Sequence, residues 1–155
     1  MSWYENGVMY QIYPLGLTGA PWRNDGSDEG AVEVGSHANS SHRLLNIVDD
    51  GWISHMQRLS VSSLMLNPVF ESDAHGYDTR DYTQVDRRLG TSEDLRRLVD
   101  SCHAANIKVI LDAVFNHVGR GFWAFKDVLK NNRSVPMRLL ILSGAQIISM
   151  RMVLP

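Results

Sequence analysis

Apolar and polar residues fall into blocks along this chain, and the period of each block predicts one secondary-structure element. Three short apolar runs, at residues 8–13, 61–69 and 107–114, predict buried strands. The last run is almost continuously apolar, which is typical of a parallel strand covered on both faces. Between the first two runs, apolar residues recur every third or fourth position over residues 42–59, and this predicts an amphipathic helix weakened at Gly51.

A second helix is predicted to follow the polar segment 71–90. Thr91 or Ser92 supplies a hydroxyl that caps the first amides, and the acidic first turn suits the positive end of the helix dipole. Cys102 falls on the apolar stripe of this helix, which indicates a small core residue rather than a nucleophile. The segment 15–41 keeps no regular period, so it is predicted to be a long loop.

The resulting order is strand, helix, strand, helix, strand, with connections long enough for crossovers. Consecutive right-handed βαβ units explain this order, so the predicted fold class is α/β.

Composition narrows the class of protein. The chain is 44% hydrophobic and 21% charged, as globular proteins are, and its formal net charge is -2. That near-balance argues against nucleic acid or an anionic membrane as a partner. One cysteine allows no internal disulfide, no window approaches twenty apolar residues, and the first residues lack a signal-peptide pattern. We therefore expect a soluble, cytoplasmic domain.

The first candidate for chemistry is an acid, an amide and an imidazole around the end of the third strand: Asp112, Asn116 and His117. Active sites of α/β barrels and open sheets lie at the carboxyl ends of parallel strands. Two alternatives stay open: Asp112 caps the turn that follows its strand, and His117 is a structural histidine.

The second candidate is the segment 71–82, which mixes glycine, aromatic and charged residues. Tyr77 either anchors this loop or presents its ring to a flat ligand such as a sugar face. A simpler alternative is a solvated network of ion pairs formed by Asp78, Arg80, Asp81 and Asp86. The chain has no phosphate-binding glycine loop, no G-x-S-x-G elbow and no H-E-x-x-H, which disfavours nucleotide binding, serine hydrolysis and zinc proteolysis.

Five segments in this order carry a family resemblance: 8–14, 66–72, 75–82, 85–91 and 112–119. Together they closely resemble the opening of the α-amylase family of glycoside hydrolases (family 13), in particular its cyclomaltodextrinase, neopullulanase and maltodextrin-glucosidase branch. The resemblance covers about four-fifths of the chain, residues 3–130. It implies the first three βα units of an incomplete (β/α)8 barrel.

The resemblance also implies roles for individual residues. Tyr77 would stack on the sugar at the cleaved bond, and Asp78 would help to hold that end of the pocket. His117 would hydrogen-bond a hydroxyl of the same sugar, while Asp112 pairs in the family with an arginine on a later strand. Asn116 matches a calcium ligand of many members, so calcium is possible although no cofactor is required. The implied partner is an α-glucan or maltodextrin.

Family chemistry is retaining, and it uses a nucleophilic Asp, an acid/base Glu and a stabilising Asp that follow the fourth, fifth and seventh strands. A whole barrel needs about 250 residues, so none of the 155 residues here is expected to be catalytic. We predict a truncated hydrolase that is inactive alone. The alternatives are a non-catalytic carbohydrate-binding remnant and a parent enzyme that acts mainly as a glucanotransferase.

The composition changes near residue 132. Residues 133–155 contain no acidic and no aromatic residue, and the resemblance ends there. The predicted division is therefore an amino-terminal part of a catalytic barrel at 1–132 and a non-homologous tail at 133–155. A shifted reading frame would produce such a tail.

Overall fold

The computed structural model describes residues 4–38 and 41–130 of the chain. This part is a mixed α/β structure, as predicted. Its strands are β1 (Val8–Ile12), β2 (Val61–Leu66), β3 (Phe70–Ser72), β4 (Thr79–Val85) and β5 (Lys108–Leu111). Its helices are α1 (Pro14–Leu17), α2 (Leu45–Asp49), α3 (Trp52–Arg58), α4 (Ser92–Ala104) and α5 (Trp123–Lys130). The tail predicted at 133–155 lies outside the described residues.

β1, β2 and β5 form one parallel sheet in that order, with β2 in the middle. Ile12 is paired with Leu66, and Leu66 is paired with Leu111, so the three strands end at the same edge. Helices lie in the connections between these strands, which is the alternation that the sequence predicts. The residues that follow each strand therefore emerge side by side.

The apolar core joins the middle strand to helices α3 and α4. Its fully buried members include Leu64 and Leu66 of β2, Met56 of α3, and Leu98 and Cys102 of α4. The prediction for Cys102 is confirmed, because the residue is inaccessible and burial raises the pKa of its thiol to about 11. A thiol that stays protonated and closed off from solvent is inert as a nucleophile.

The helical segment predicted over residues 42–59 is divided into the short helices α2 and α3. Gly51 separates them with a φ of +81°, a left-handed conformation that a residue without a Cβ adopts at little cost. The predicted weak point is therefore a full break. No helix in the two described ranges has the length and apolar character needed to cross a bilayer.

The polar segments predicted as loops contain one short helix and a second sheet. α1 is a single turn begun by Pro14, whose fixed φ suits the first helical position. β3 and β4 pair antiparallel, with Ser72 opposite Thr79. Partly buried polar side chains dominate β4, so no apolar alternation announces it. The prediction of irregular structure is wrong for these three elements.

Helix α4 begins as predicted, and Thr91 is its capping residue. The Thr91 hydroxyl accepts a hydrogen bond from the Asp94 amide at 3.2 Å, and the Asp94 carboxylate accepts one from the Thr91 amide at 2.7 Å. This is a capping box, in which two otherwise unpaired amides of the first turn are satisfied reciprocally. The Asp94 carboxylate also lies 2.8 Å from Nδ1 of His42, which ties α4 to the segment before α2.

Strand β5 is shorter and less covered than predicted. It ends at Leu111 instead of residue 114, and Val109, Ile110 and Leu111 are only half-buried. β2 is its one strand neighbour in the described part of the chain. An apolar run reports the tendency of residues to be buried, but the neighbouring elements decide how much burial is reached.

Candidate functional site at the carboxyl edge of the sheet

The parallel register brings one residue from each strand end to the same edge of the sheet. Tyr13 follows β1, Asn67 follows β2, and Asp112 follows β5. The connection between β3 and β4 carries Tyr77 and Asp78 to this edge, since the Tyr77 hydroxyl contacts Asn67. Of the sequence-predicted site residues, Tyr77, Asp78 and Asp112 therefore belong to one cluster.

A chain of hydrogen bonds holds the Tyr77 hydroxyl in place. Nε2 of Gln11 donates to Oδ1 of Asn67 at 2.6 Å, and Nδ2 of Asn67 donates to the Tyr77 hydroxyl oxygen at 2.6 Å. Since that oxygen already accepts from Asn67, its proton is available to the neighbouring Asp112 carboxylate. Burial, followed by the negative charge of Asp112, raises the pKa of Tyr77, which keeps the hydroxyl protonated.

The two alternatives for Tyr77 are therefore not exclusive. Its side chain is half-buried, and its hydroxyl is fastened to the end of β2, which makes it an anchor of the 73–78 loop. The His75 ring lies beside the Tyr77 ring, with centroids 6.3 Å apart and planes tilted by 33°. An aromatic ring fixed in orientation at a partly open position is suited to stacking on a ligand.

Asp78 carries an unpaired acceptor at this edge. Its side chain is 21% exposed, and Oδ1 is buried without a hydrogen-bond partner in the described part of the chain. Nδ1 of His75 is 3.7 Å away, which is too distant for a hydrogen bond. A buried acceptor without a partner is costly, so this oxygen requires a donor that the described residues do not supply.

Asp112 acts on its own turn as well as on Tyr77. Its Oδ1 accepts a hydrogen bond from the Val114 amide at 3.2 Å, so the predicted alternative of a cap on the following turn is confirmed. Val114 has a φ of +47°, which is unfavourable for a β-branched residue. This turn ends β5 early and directs the chain toward Asn116 and His117.

Asn116 and His117 are exposed on the loop that follows, with Nδ2 of Asn116 3.3 Å from Nδ1 of His117. No hydrogen bond of the described residues joins the His117 side chain to Tyr77 or Asp112. Instead, the Tyr82 hydroxyl donates to the backbone oxygens of Val114, at 2.9 Å, and His117, at 3.2 Å. Tyr82 therefore fixes the backbone at His117, a role that sequence reasoning missed.

Two glycines let this loop approach the loop before β4. The Gly121 amide donates to Oδ2 of Asp73 at 2.8 Å, and Arg80 binds the other oxygen of the same carboxylate at 2.8 Å. A Cβ at Gly121 would lie 2.1 Å from Asp73, and one at Gly119 would lie 2.3 Å from the Asp78 carbonyl oxygen. Both distances are far below van der Waals contact, so the junction requires glycine.

A buried ion pair fastens the long loop 15–41 to the same layer. Arg88 binds both oxygens of Asp86, at 2.9 and 2.6 Å, and Asp86 also accepts from the Ser72 hydroxyl at 2.8 Å. The guanidinium further donates to the backbone oxygens of Pro21 and Ala74, at 3.0 and 2.6 Å. The alternative of a solvated network is wrong for Asp86, because it is fully buried and paired with Arg88.

The predicted calcium site finds no support in its surroundings. Asn116 is exposed, and the described residues contain no group of three or more His, Cys, Asp or Glu side chains that could hold a metal ion. Calcium is bound by six to eight oxygen ligands that usually include carboxylates, so an amide oxygen with no carboxylate beside it is a weak calcium ligand. The calcium ligand at Asn116 stays a prediction.

Comparison with known proteins gives one consistent result. The family model described as alpha amylase, catalytic domain, matches residues 50–138. A cyclomaltodextrinase of a Bacillus species is 38% identical over 136 residues, which cover 84% of this chain and 24% of that protein. Neopullulanase 2 of Thermoactinomyces vulgaris is 38% identical over 134 residues, which cover 83% of this chain and 23% of that protein. The chain thus spans about a quarter of the length of these curated relatives.

Solved structures agree with this result. The chain resembles the cyclic α-maltosyl-(1→6)-maltose hydrolase of Arthrobacter globiformis in complex with cyclic α-maltosyl-(1→6)-maltose. The TM-score is 0.66 at 35% identity, and the match covers 86% of this chain and 30% of that one. For a solved cyclomaltodextrinase the TM-score is 0.64 at 35% identity, with 83% and 22% covered.

Proposed function

Since this chain belongs to the alpha-amylase catalytic-domain family, we propose that it is the sugar-binding, amino-terminal part of a glycoside hydrolase acting on α-glucans. Its three parallel strands are then the first three strands of a (β/α)8 barrel. The carboxyl ends of barrel strands carry the active site in this architecture. The substrate class we infer is maltodextrins or cyclodextrins.

The observation that carries the proposal is the pairing of a fixed aromatic ring with an unpaired acceptor. The Tyr77 hydroxyl is held at 2.6 Å by Asn67, and Oδ1 of Asp78, the next residue, is buried without a partner among the described residues. A sugar offers a flat apolar face and a rim of hydroxyl donors, and this pair fits both features. In this proposal Tyr77 stacks on the sugar, and Asp78 accepts a hydrogen bond from one of its hydroxyls.

The remaining predicted residues take supporting roles. His117 reaches a hydroxyl of the same sugar from the loop that Tyr82 fixes. Asp112 orients the Tyr77 hydroxyl and forms an ion pair with an arginine from a later strand of the barrel. Retaining hydrolysis needs one carboxylate that attacks the anomeric carbon and a second that protonates the leaving oxygen and then activates water. We propose that both lie outside residues 1–155, so this chain binds sugar without cleaving it.

Titration of the 155-residue chain with maltohexaose, followed by NMR, tests the proposal. Tyr77→Ala is expected to weaken binding about tenfold or more, because stacking area and the hydrogen-bonded anchor are both lost. Tyr77→Phe keeps the ring and is expected to lose less. A reducing-sugar assay on the same samples is expected to give no product. Binding that Tyr77→Ala leaves unchanged contradicts the sugar site, and product formation contradicts the placement of the catalytic carboxylates.

A further inference from the structure

A cleft opens beside the Tyr77 site, and the proposed function assigns it no role. It has a volume of about 340 Å³, within the range of about 300–1,000 Å³ usual for small-molecule sites. Tyr13 and Trp22 contribute its aromatic walls, and Ala74 and His75 border it on the side of the β3–β4 connection. His75 is shared by the two sites, because its ring also lies beside Tyr77.

Trp22 presents a flat ring to this cleft. The side chain is 69% exposed, and its indole ring rests on Gly30, where a Cβ would lie only 2.4 Å from the ring. Gly30 has a φ of +76°, so both its backbone and its missing side chain serve this contact. The Trp22 amide donates to the Glu29 carbonyl at 3.0 Å, which holds the two ends of this turn together. One face of the indole is thus supported while much of the residue stays open to solvent.

Tyr13 forms an aromatic wall that is fixed in the same way. A Cβ at Gly16 would lie 2.8 Å from the Tyr13 ring, so this ring also lies against a glycine. Its hydroxyl donates to the His75 carbonyl oxygen at 3.0 Å, and the residue is 38% exposed. Nε2 of His75 has no hydrogen-bond partner among the described residues, which leaves a polar group at the border of the cleft.

We propose that the cleft between Tyr13 and Trp22 binds a further glucose unit of the α-glucan that occupies the Tyr77 site. Two ring faces suit the apolar faces of a pyranose, and Nε2 of His75 suits its hydroxyls. The shared residue His75 makes the two positions neighbours on one chain of sugar units. This inference rests on the proposed function, because it extends the ligand held at Tyr77.

The test compares a short and a long ligand on the full 155-residue chain. Affinities for glucose and maltohexaose are measured by NMR titration for the wild type, Trp22→Ala, Tyr77→Ala and Trp123→Ala. Trp123 is the matched control, since it is another exposed tryptophan, at 50%, and does not line the cleft. Trp22→Ala is expected to weaken maltohexaose binding about fivefold and to leave glucose binding at the Tyr77 site unchanged. Trp123→Ala is expected to change neither.

The outcomes separate the inference from the function on which it rests. If Tyr77→Ala weakens both ligands but Trp22→Ala binds maltohexaose as tightly as the wild type does, the second position is wrong and the proposed function stands. An equal loss for glucose and maltohexaose in Trp22→Ala also overturns a separate position. If no sugar binds, or Tyr77→Ala has no effect, both proposals fail. Far-UV circular dichroism confirms that each variant is folded.

Discussion

The carboxylates of Asp86 and Asp78 belong to one polar segment of the chain, but their surroundings are opposite in kind. Asp86 is fully buried, and both of its oxygens are bound by Arg88 at 2.9 and 2.6 Å. The Arg88 guanidinium then reaches backbone oxygens of two other segments. Asp78 lies between tightly held neighbours, yet its Oδ1 has no hydrogen-bond partner in the described part of the chain.

This difference separates a structural cluster from a binding position. A buried charge with every polar partner supplied rigidifies its surroundings, and it leaves nothing for a ligand to satisfy. A buried acceptor without a partner destabilises the free protein, and this destabilisation is relieved when a ligand donates a hydrogen bond to it. The same substitution at the two positions should therefore give different results in stability and in binding.

The largest effect is expected for Asp86→Asn. Removing the carboxylate leaves the Arg88 guanidinium buried without its counter-charge, a change that typically costs about 3–5 kcal/mol. Urea denaturation should show this loss in the free energy of unfolding. Asp100→Asn is the control, because that carboxylate belongs to an exposed ion pair with Arg96 on α4. The urea midpoint of this variant should equal that of the wild type. Equal urea unfolding midpoints for Asp86→Asn and Asp100→Asn would contradict the structural role assigned to the buried Asp86–Arg88 pair.

Gly121→Ala is expected to have the next largest effect. Its Cβ would lie 2.1 Å from the Asp73 carboxylate, and overpacking of this kind costs about 1–3 kcal/mol. The clash should also move the loop that carries His117 and so weaken sugar binding. Gly51→Ala is the matched control, since it strains a left-handed residue in open space away from the site. It should lower stability while leaving sugar affinity unchanged; a loss of affinity in both variants contradicts this account.

A smaller, pH-dependent effect is expected at the cap of α4. Burial by itself would raise the pKa of Asp94, but hydrogen bonds from His42 and Thr91 outweigh it and lower that pKa below its ordinary value of 3.8. The unfolded chain then binds the proton more tightly than the folded one. Stability from this carboxylate is therefore present above about pH 4 and is lost as the pH falls through the lowered pKa.

Denaturation of the wild type and Asp94→Asn at pH 7 and at pH 3 tests this effect. The variant should be less stable at pH 7 by about 1 kcal/mol, the usual worth of a capping interaction. The difference should shrink as the pH is lowered. A difference that stays constant between the two pH values is the contrary result, since it would not depend on the charge of Asp94.

The smallest change in stability is expected for Asp78→Asn. No hydrogen bond to Oδ1 is lost, so the free energy of unfolding should change by less than about 0.5 kcal/mol or rise slightly. Maltohexaose binding should weaken, because an amide is a poorer acceptor than a carboxylate. A loss of stability as large as that of Asp86→Asn would show that the two positions do not differ.

The outcome of the sequence predictions follows the same division between apolar and polar positions. The apolar runs predict β1, β2 and β5, and the apolar stripe with its capping residue predicts α4. These elements are predictable because apolar burial and local hydrogen bonds depend on residues that are close in the sequence. β3 and β4 were missed because their polar residues are buried through pairing with distant partners. Ser72 of β3, for example, is buried, and its hydroxyl bonds with Asp86 and Arg88.

The candidate site was predicted through its ordered motifs rather than through its geometry. The Tyr77 hydroxyl lies beside Asp112, and the family indicated by the motifs is confirmed. Gln11, Asn67 and Tyr82 lie inside the same motifs, but no local pattern reveals that they hold other residues in place.

The sequence by itself determined the alternation of parallel strands and helices, the helix cap, the inert cysteine and the family, because each depends on neighbouring residues or on ordered motifs. Only the tertiary structure decided which polar groups are satisfied. Asp86 and Asp78 are the same residue type in one polar segment, and neither periodicity nor charge distinguishes them. Their difference arises from contacts between residues distant in sequence, which form only when the strand ends meet at one edge of the sheet.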